Sequence, residues 1–136
     1  MSDGAAERLA AFLAARPYAR FLGMQASYEG RRVAALLPFS EHLVGNPLIP
    51  ALHGGVVGAF LELAALAELA AHGHAARTVD VTIDYIRPAR AVATHAHAQV
   101  IRRGRRVANV QVTGWQESPQ QPVATLRGHF MLVGPA

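Results

Sequence analysis

The sequence predicts an α+β fold in which one buried helix lies against a largely antiparallel sheet of about six strands. Two patterns carry that expectation. From about Gly54 to His72 the chain places Val56, Val57, Phe60, Leu61, Leu63, Leu66 and Leu69 among many Ala. These positions cover nearly the whole helical circumference, and a helix that is apolar all round is a buried one. Beyond it, apolar and polar residues alternate with period two through four segments, as strands with one buried face do. Apolar residues make up 51% of the chain and charged residues 16%, far too apolar for disorder, and 136 residues suit one domain over 1–136.

Taken in order, residues 1–16 form an N-terminal helical segment whose helix runs from 5 to 15 and stops before Pro17. Residues 24 to 29 and 31 to 37 read as two strands joined by a tight turn at Glu29-Gly30. Pro38, Gly45-Asn46-Pro47 and Pro50 mark a loop. The central helix then spans 54–72, and Gly73 is its stop signal. In the strand that follows, Val79, Val81, Ile83 and Tyr85 share one face, and Thr78, Asp80, Thr82 and Asp84 the other. Val92, Ala96, Ala98 and Val100 alternate with His95, His97 and Gln99; Ala108, Val110 and Val112 with Asn109, Gln111 and Thr113; Leu126, Phe130 and Leu132 with Arg127, His129 and Met131.

Charge and composition narrow the function. All 13 basic residues are Arg, and four of them fall in Arg102-Arg103-Gly104-Arg105-Arg106. Without that stretch nine Arg face nine acids, so the net charge of +4 is local. A local patch fits a specific anionic contact better than general nucleic-acid binding, and aromatic residues are too sparse there for base stacking. The absence of Cys excludes disulfides and thiolate metal sites. Glu62 and Glu68 interrupt the longest apolar run, so no membrane span is expected, and Asp3 and Glu7 stand where a secretory signal carries positive charge. A cytoplasmic location is the resulting expectation.

The chemistry concentrates between Asn46 and Glu62. Glu62 falls inside the most apolar helix, where a buried carboxylate costs several kcal/mol unless paired or protonated. Burial would raise its pKa and suit it to general-base work near neutral pH; the plain alternative is a polar gap or rim. His53-Gly54-Gly55 opens the same helix. The first amide N–H groups of a helix lack internal partners and can polarise a carbonyl, whereas the plain alternative is a turn that needs positive φ. Eight residues separate Gly54 from Glu62, a rise of ~12 Å, so the two cannot reach one carbonyl on one helix. If both act on it, they come from two chains related by a twofold axis.

The spacing His53-Gly54-Gly55, six residues, Glu62 resembles the His-Gly-Gly…Asp/Glu pattern of the phenylacetate-pathway (PaaI-type) branch of hot-dog thioesterases. Ile83-Asp84-Tyr85-Ile86-Arg87-Pro88 and Arg103-Gly104-Arg105 with Val107-Ala108 are similar to later segments of that family, and the likeness covers roughly residues 18 to 133. The resemblance implies a hot-dog fold and hydrolysis of acyl-CoA thioesters, with no metal and no cofactor beyond the coenzyme A of the substrate. It implies that Gly54 donates its N–H to the thioester carbonyl and that His53 positions the thioester. Glu62 of the other subunit acts as base or nucleophile. Thr78 falls where the family often has a small hydroxyl residue near the carboxylate. Asn46 stands in for an Asn or Gln upstream of the His, although it lies seven residues before His53 where the nearest members have six. A homodimer, assembled further into a tetramer, is also implied.

Around that core, Gly55 lines the helix start. Arg103, Arg105 and Arg106 offer a clamp for the phosphates of coenzyme A, or else a solvated hairpin tip. His72 and His74 suit a helix C-terminus, and His95 and His97 share a strand face without a third ligand nearby. Glu68 sits ~120° round the helix from Glu62, as a second polar contact. Asp80 and Asp84 could pair with Arg, and Trp115 packs in the core or an interface. Two other functions use the same fold. One is a hot-dog enoyl-thioester hydratase/dehydratase, although His42 lies twenty residues before Glu62, further than in the dehydratases compared, and no Gly-His-Phe-Pro precedes Pro47. The other is a non-catalytic acyl-thioester binding module.

Overall fold

Helical spacing puts Ala5, Leu9 and Phe12 on one buried face of α1 (Ala5–Ala14). The computed structural model describes residues 4–136, so residues 1–3 of the expected N-terminal segment lie outside the described residues. Pro17 ends that helical run, as expected, and also begins a second helix, α2 (Pro17–Leu22), which the sequence reading does not anticipate. A proline at the first helical position loses no hydrogen bond and has its φ preset, and Gly23 at φ 78° closes the helix.

Strands β1 (Gln25–Glu29) and β2 (Arg32–Leu37) form a hairpin. Its turn residues are Gly30 and Arg31, both at positive φ, one position later than the expected Glu29-Gly30. The Pro-rich loop holds a 3-10 turn (Glu41–Leu43) and a small separate hairpin, β3 (Val44–Asn46) with β4 (Ala51–Leu52). Then comes α3 (Gly54–Ala71), with His72 at its C-cap and Gly73 at φ 96° just beyond. Strands β5 (His74–Tyr85), β6 (Thr94–Arg103), β7 (Val107–Trp115) and β8 (Pro122–Pro135) complete the chain. The main sheet is six-stranded and antiparallel throughout, in the order β1-β2-β6-β7-β8-β5. β5, the strand that leaves α3, therefore lies on an edge.

The sheet wraps α3. Phe60, Leu61, Ala65, Ala67 and Ala71 are fully buried against inward residues such as Leu37, Val110, Leu126 and Phe130. Contrary to the sequence expectation, α3 is long and apolar enough by length and composition to cross a bilayer, but 78% of that stretch is buried inside this fold. Each buried Leu or Phe contributes about 1.5–3 kcal/mol, so the stripe all round the helix is what holds the sheet on it.

Two expectations about strand faces are corrected. Val79 is an extra residue in β5: Thr78 pairs with Phe130 and Asp80 with His129, leaving Val79 unmatched and 55% exposed. A bulge shifts the alternation by one, so Thr78 leaves the polar face it was assigned with Asp80 and turns toward α3. Val92 precedes β6 instead of belonging to it, and is exposed.

Candidate active site

The N-terminus of α3 is built by His53, Gly54 and Gly55. His53 is the N-cap, with φ −63° and ψ 131°, and its Nδ1 accepts the Gly55 N–H at 3.1 Å. Its carbonyl accepts from Val56 at 3.0 Å and from Val57 at 3.2 Å. The Gly54 N–H is left without an acceptor among the described residues. Neither Gly54 nor Gly55 has positive φ, which removes the simple turn explanation for the pair. A Cβ on Gly54 would meet the Tyr85 side chain at an ordinary contact distance, nearest at 3.7 Å. Gly54 is itself exposed, and its unclaimed N–H stands at the positive end of the helix.

Tyr85 closes this end from β5, donating its hydroxyl to the Gly54 carbonyl at 2.8 Å. The sequence reading placed Tyr85 only on a strand face and in the Tyr-x-Arg-Pro segment; nothing in the pattern pointed to its hydroxyl. Gly54, Val57, Tyr85, Arg87 and Ala89 line a cleft of about 330 Å³ here. Space is tight at Gly58, because a Cβ there would lie 2.8 Å from Ile83 Cδ1 and 3.0 Å from the Tyr85 hydroxyl, and one of these side-chain ends would have to move.

Gly54, Gly58 and Glu62 recur at one-turn spacing along the side of α3 that faces β5. Glu62 accepts a hydrogen bond from the Thr78 hydroxyl at 2.6 Å on Oε2, and its other oxygen has no donor among the described residues. Of the two alternatives the sequence leaves open, Glu62 takes the rim: it is half-buried, on the side of α3 that faces the edge strand β5. The deeply buried acid is Glu68, 4% exposed. It accepts from the Val33 N–H at 2.9 Å and bonds His72 Nε2 at 2.7 Å, which ties β2 to the end of α3.

The remaining sequence-selected residues lie elsewhere. Asn46 sits at the end of β3, and its Oδ1 accepts from the Leu48 N–H at 3.0 Å to stabilise the hairpin turn. Its neighbour Gly45 packs directly on His53, where a Cβ would stand 2.8 Å from His53 Cα. Arg103 lines a cleft with Glu68, Leu69, His72 and His74 at the far end of α3, while Arg105 and Arg106 are exposed on the hairpin tip. Fourteen residues of helix, ~21 Å, separate Gly54 from Glu68, so this Arg cluster does not serve Gly54 of its own chain. His42 turns away, contacting Ser40 at 2.8 Å and the Phe21 carbonyl at 2.9 Å. Asp80 pairs with His129 at 2.9 Å and not with an Arg. His95 and His97 pack on Trp115, with ring centroids at 5.7 Å and 5.0 Å. Burial, and then Arg32, lowers the pKa of His97. Burial is also the main cause that lowers His74, followed by Arg103, His72 and Arg8.

A long helix buried against a six-stranded antiparallel sheet is the hot-dog arrangement. Residues 50–123 match the family model of the thioesterase superfamily, and the chain belongs to that family. That class is one of thioester hydrolases. The structure is similar to a Shewanella oneidensis protein related to the thioesterase superfamily (26% identity, TM-score 0.80, covering 98% of this chain and 100% of that one). It is also similar to a Chromobacterium violaceum protein (33% identity, TM-score 0.74, 93% and 90% covered). The fold is shared with the E. coli PaaI protein from the phenylacetic acid degradation operon (23% identity, TM-score 0.86, 99% and 97% covered). Comparison with curated proteins gives no match.

Proposed function

We propose that this protein is an acyl-CoA thioesterase of the PaaI type whose active sites are shared between two subunits. The observation that carries the reading is the unclaimed N–H of the exposed Gly54, on the same helix face as the half-buried Glu62. Eight residues, ~12 Å, separate them, so one thioester carbonyl meets Gly54 of one chain and the partner subunit's Glu62. Gly54 polarises the carbonyl and stabilises the oxyanion. Glu62, steadied by Thr78, takes a proton from water, and the hydroxide adds to the carbonyl carbon. The tetrahedral intermediate collapses by breaking the C–S bond, and the thiolate of coenzyme A leaves and is protonated. In the alternative route Glu62 itself attacks and water cleaves the resulting anhydride.

With the two helices antiparallel, the partner's stretch from Glu68 to His72 lies ~9–15 Å along the axis from the carbonyl. The partner subunit's Arg103, with Arg105 and Arg106 beside it, then stands within reach of the phosphates of coenzyme A. An apolar cleft of about 390 Å³, lined by Phe12, Leu66, Ala70 and Ala76, opens one turn beyond Glu62 and offers the acyl slot. The reading includes no metal or organic cofactor, a cytoplasmic location, and a dimer that pairs into a tetramer. The decisive experiment is thiol release from a panel of aryl, short-chain and medium-chain acyl-CoA thioesters, wild type beside Glu62→Gln. Thiol release lost in the variant supports the reading. Full activity in the variant sinks the mechanism, and water addition to an enoyl thioester without thiol release favours the hydratase.

A further inference from the structure

We propose that Tyr85 is a positioning residue that holds His53 in its Nε2–H form, so that the ring N–H joins the Gly54 N–H as a second donor to the substrate carbonyl. This rests on the reading of the site just given.

Three groups form a continuous chain. The Tyr85 hydroxyl donates to the Gly54 carbonyl at 2.8 Å. That carbonyl and the Gly55 N–H belong to one peptide unit, and the Gly55 N–H donates to His53 Nδ1 at 3.1 Å. A peptide whose carbonyl accepts a hydrogen bond becomes a better donor at its N–H, so the hydroxyl strengthens the bond to the imidazole. A ring nitrogen that accepts carries no proton, which leaves the proton of the neutral ring on Nε2.

The surroundings hold the ring in that setting. A Cβ on Gly45 would lie 3.2 Å from His53 Cδ2, and one on Gly55 would lie 3.3 Å from Nδ1. Glycine on both sides lets backbone close on the imidazole. Gly58 keeps room for the hydroxyl, 3.0 Å from where its Cβ would stand. Tyr85 is itself 56% exposed, so burial of its ring does not account for its place, whereas its hydroxyl is spent on the one carbonyl that leads to His53.

The test reads the tautomer directly. Long-range ¹⁵N–¹H spectra of the full chain at neutral pH, with the His53 signals assigned by His53→Gln, are compared for wild type and Tyr85→Phe. Beside them kcat and KM are measured on an acyl-CoA thioester. Wild type should show His53 protonated at Nε2, and Tyr85→Phe should show a mixture of tautomers. Loss of one hydrogen bond should lower kcat about 3- to 10-fold with KM unchanged, whereas a brace that only stabilised the helix would leave the tautomer alone. Gly58→Ala, which crowds the hydroxyl, should give the same mixed spectrum as Tyr85→Phe. An Nδ1–H ring in wild type, an unaltered spectrum in both variants, or a changed spectrum with unchanged kcat overturns the proposal. The spectrum needs no turnover. A chain that holds Nε2–H but cleaves no thioester therefore fails the hydrolase reading and not the tautomer assignment.

Discussion

Two glutamates, six residues apart on α3, have opposite fates. Glu68 is buried and both its oxygens are engaged, one by the Val33 N–H and the other by His72. Glu62 is half-buried, holds the Thr78 hydroxyl on one oxygen and leaves the other without a donor among the described residues. Depth alone would have selected Glu68 as the functional acid. Access and hydrogen-bond engagement favour Glu62 in the proposed reaction, because Glu68 is buried with a protein partner on each oxygen and water has no approach to it.

The largest test of this contrast is on Glu62. Glu62→Gln should lower kcat about 10²–10⁴-fold while the thermal midpoint stays near that of wild type, measured by thiol release and by melting. Glu68→Ala should do the reverse. It strands the Val33 N–H and His72 and should cost about 2–4 kcal/mol in denaturant unfolding, with activity per folded molecule largely kept. If Glu68→Ala instead abolished turnover in well-folded protein, the division of labour between the two acids would be wrong.

Smaller effects sharpen the same comparison. Thr78→Ala removes the only donor to Glu62 among the described residues and should lower kcat about 3- to 10-fold, with Thr78→Ser restoring it. His74, near Glu68, gives the smallest effect. Burial, with Arg103, His72 and Arg8 adding to it, lowers its pKa from 6.5. The unfolded chain therefore binds the proton first, so the stability His74 contributes is complete above pH 6.5 and declines as pH falls below it. His74→Gln should flatten the fall of the thermal midpoint below pH 6.5, leaving the alkaline side unchanged.

Much of the fold was legible in the chain. The all-round apolar stripe over 54–72 and the period-two strands report burial, and burial is written residue by residue in hydropathy. The N-terminus of α3 was legible too, since His-Gly-Gly before an apolar run marks a helix start. The second helix at Pro17 was hidden because proline both ends one helix and begins another. Thr78 was read onto the polar face because strict alternation cannot foresee the extra residue Val79. The sequence leaves Glu62 between burial and a rim because a position in an apolar helix says nothing about which strand covers it.

By itself, then, the sequence determined the helix, the antiparallel strands and the identity of the residues around Gly54 and Glu62. These follow from local propensity and from the period of apolar residues. Only the tertiary structure decided which acid is buried with both oxygens engaged, that Thr78 turns inward, and that the Tyr85 hydroxyl reaches Gly54. Each of those depends on contacts between residues distant in sequence, set by strand order and a bulge, and no local pattern encodes them.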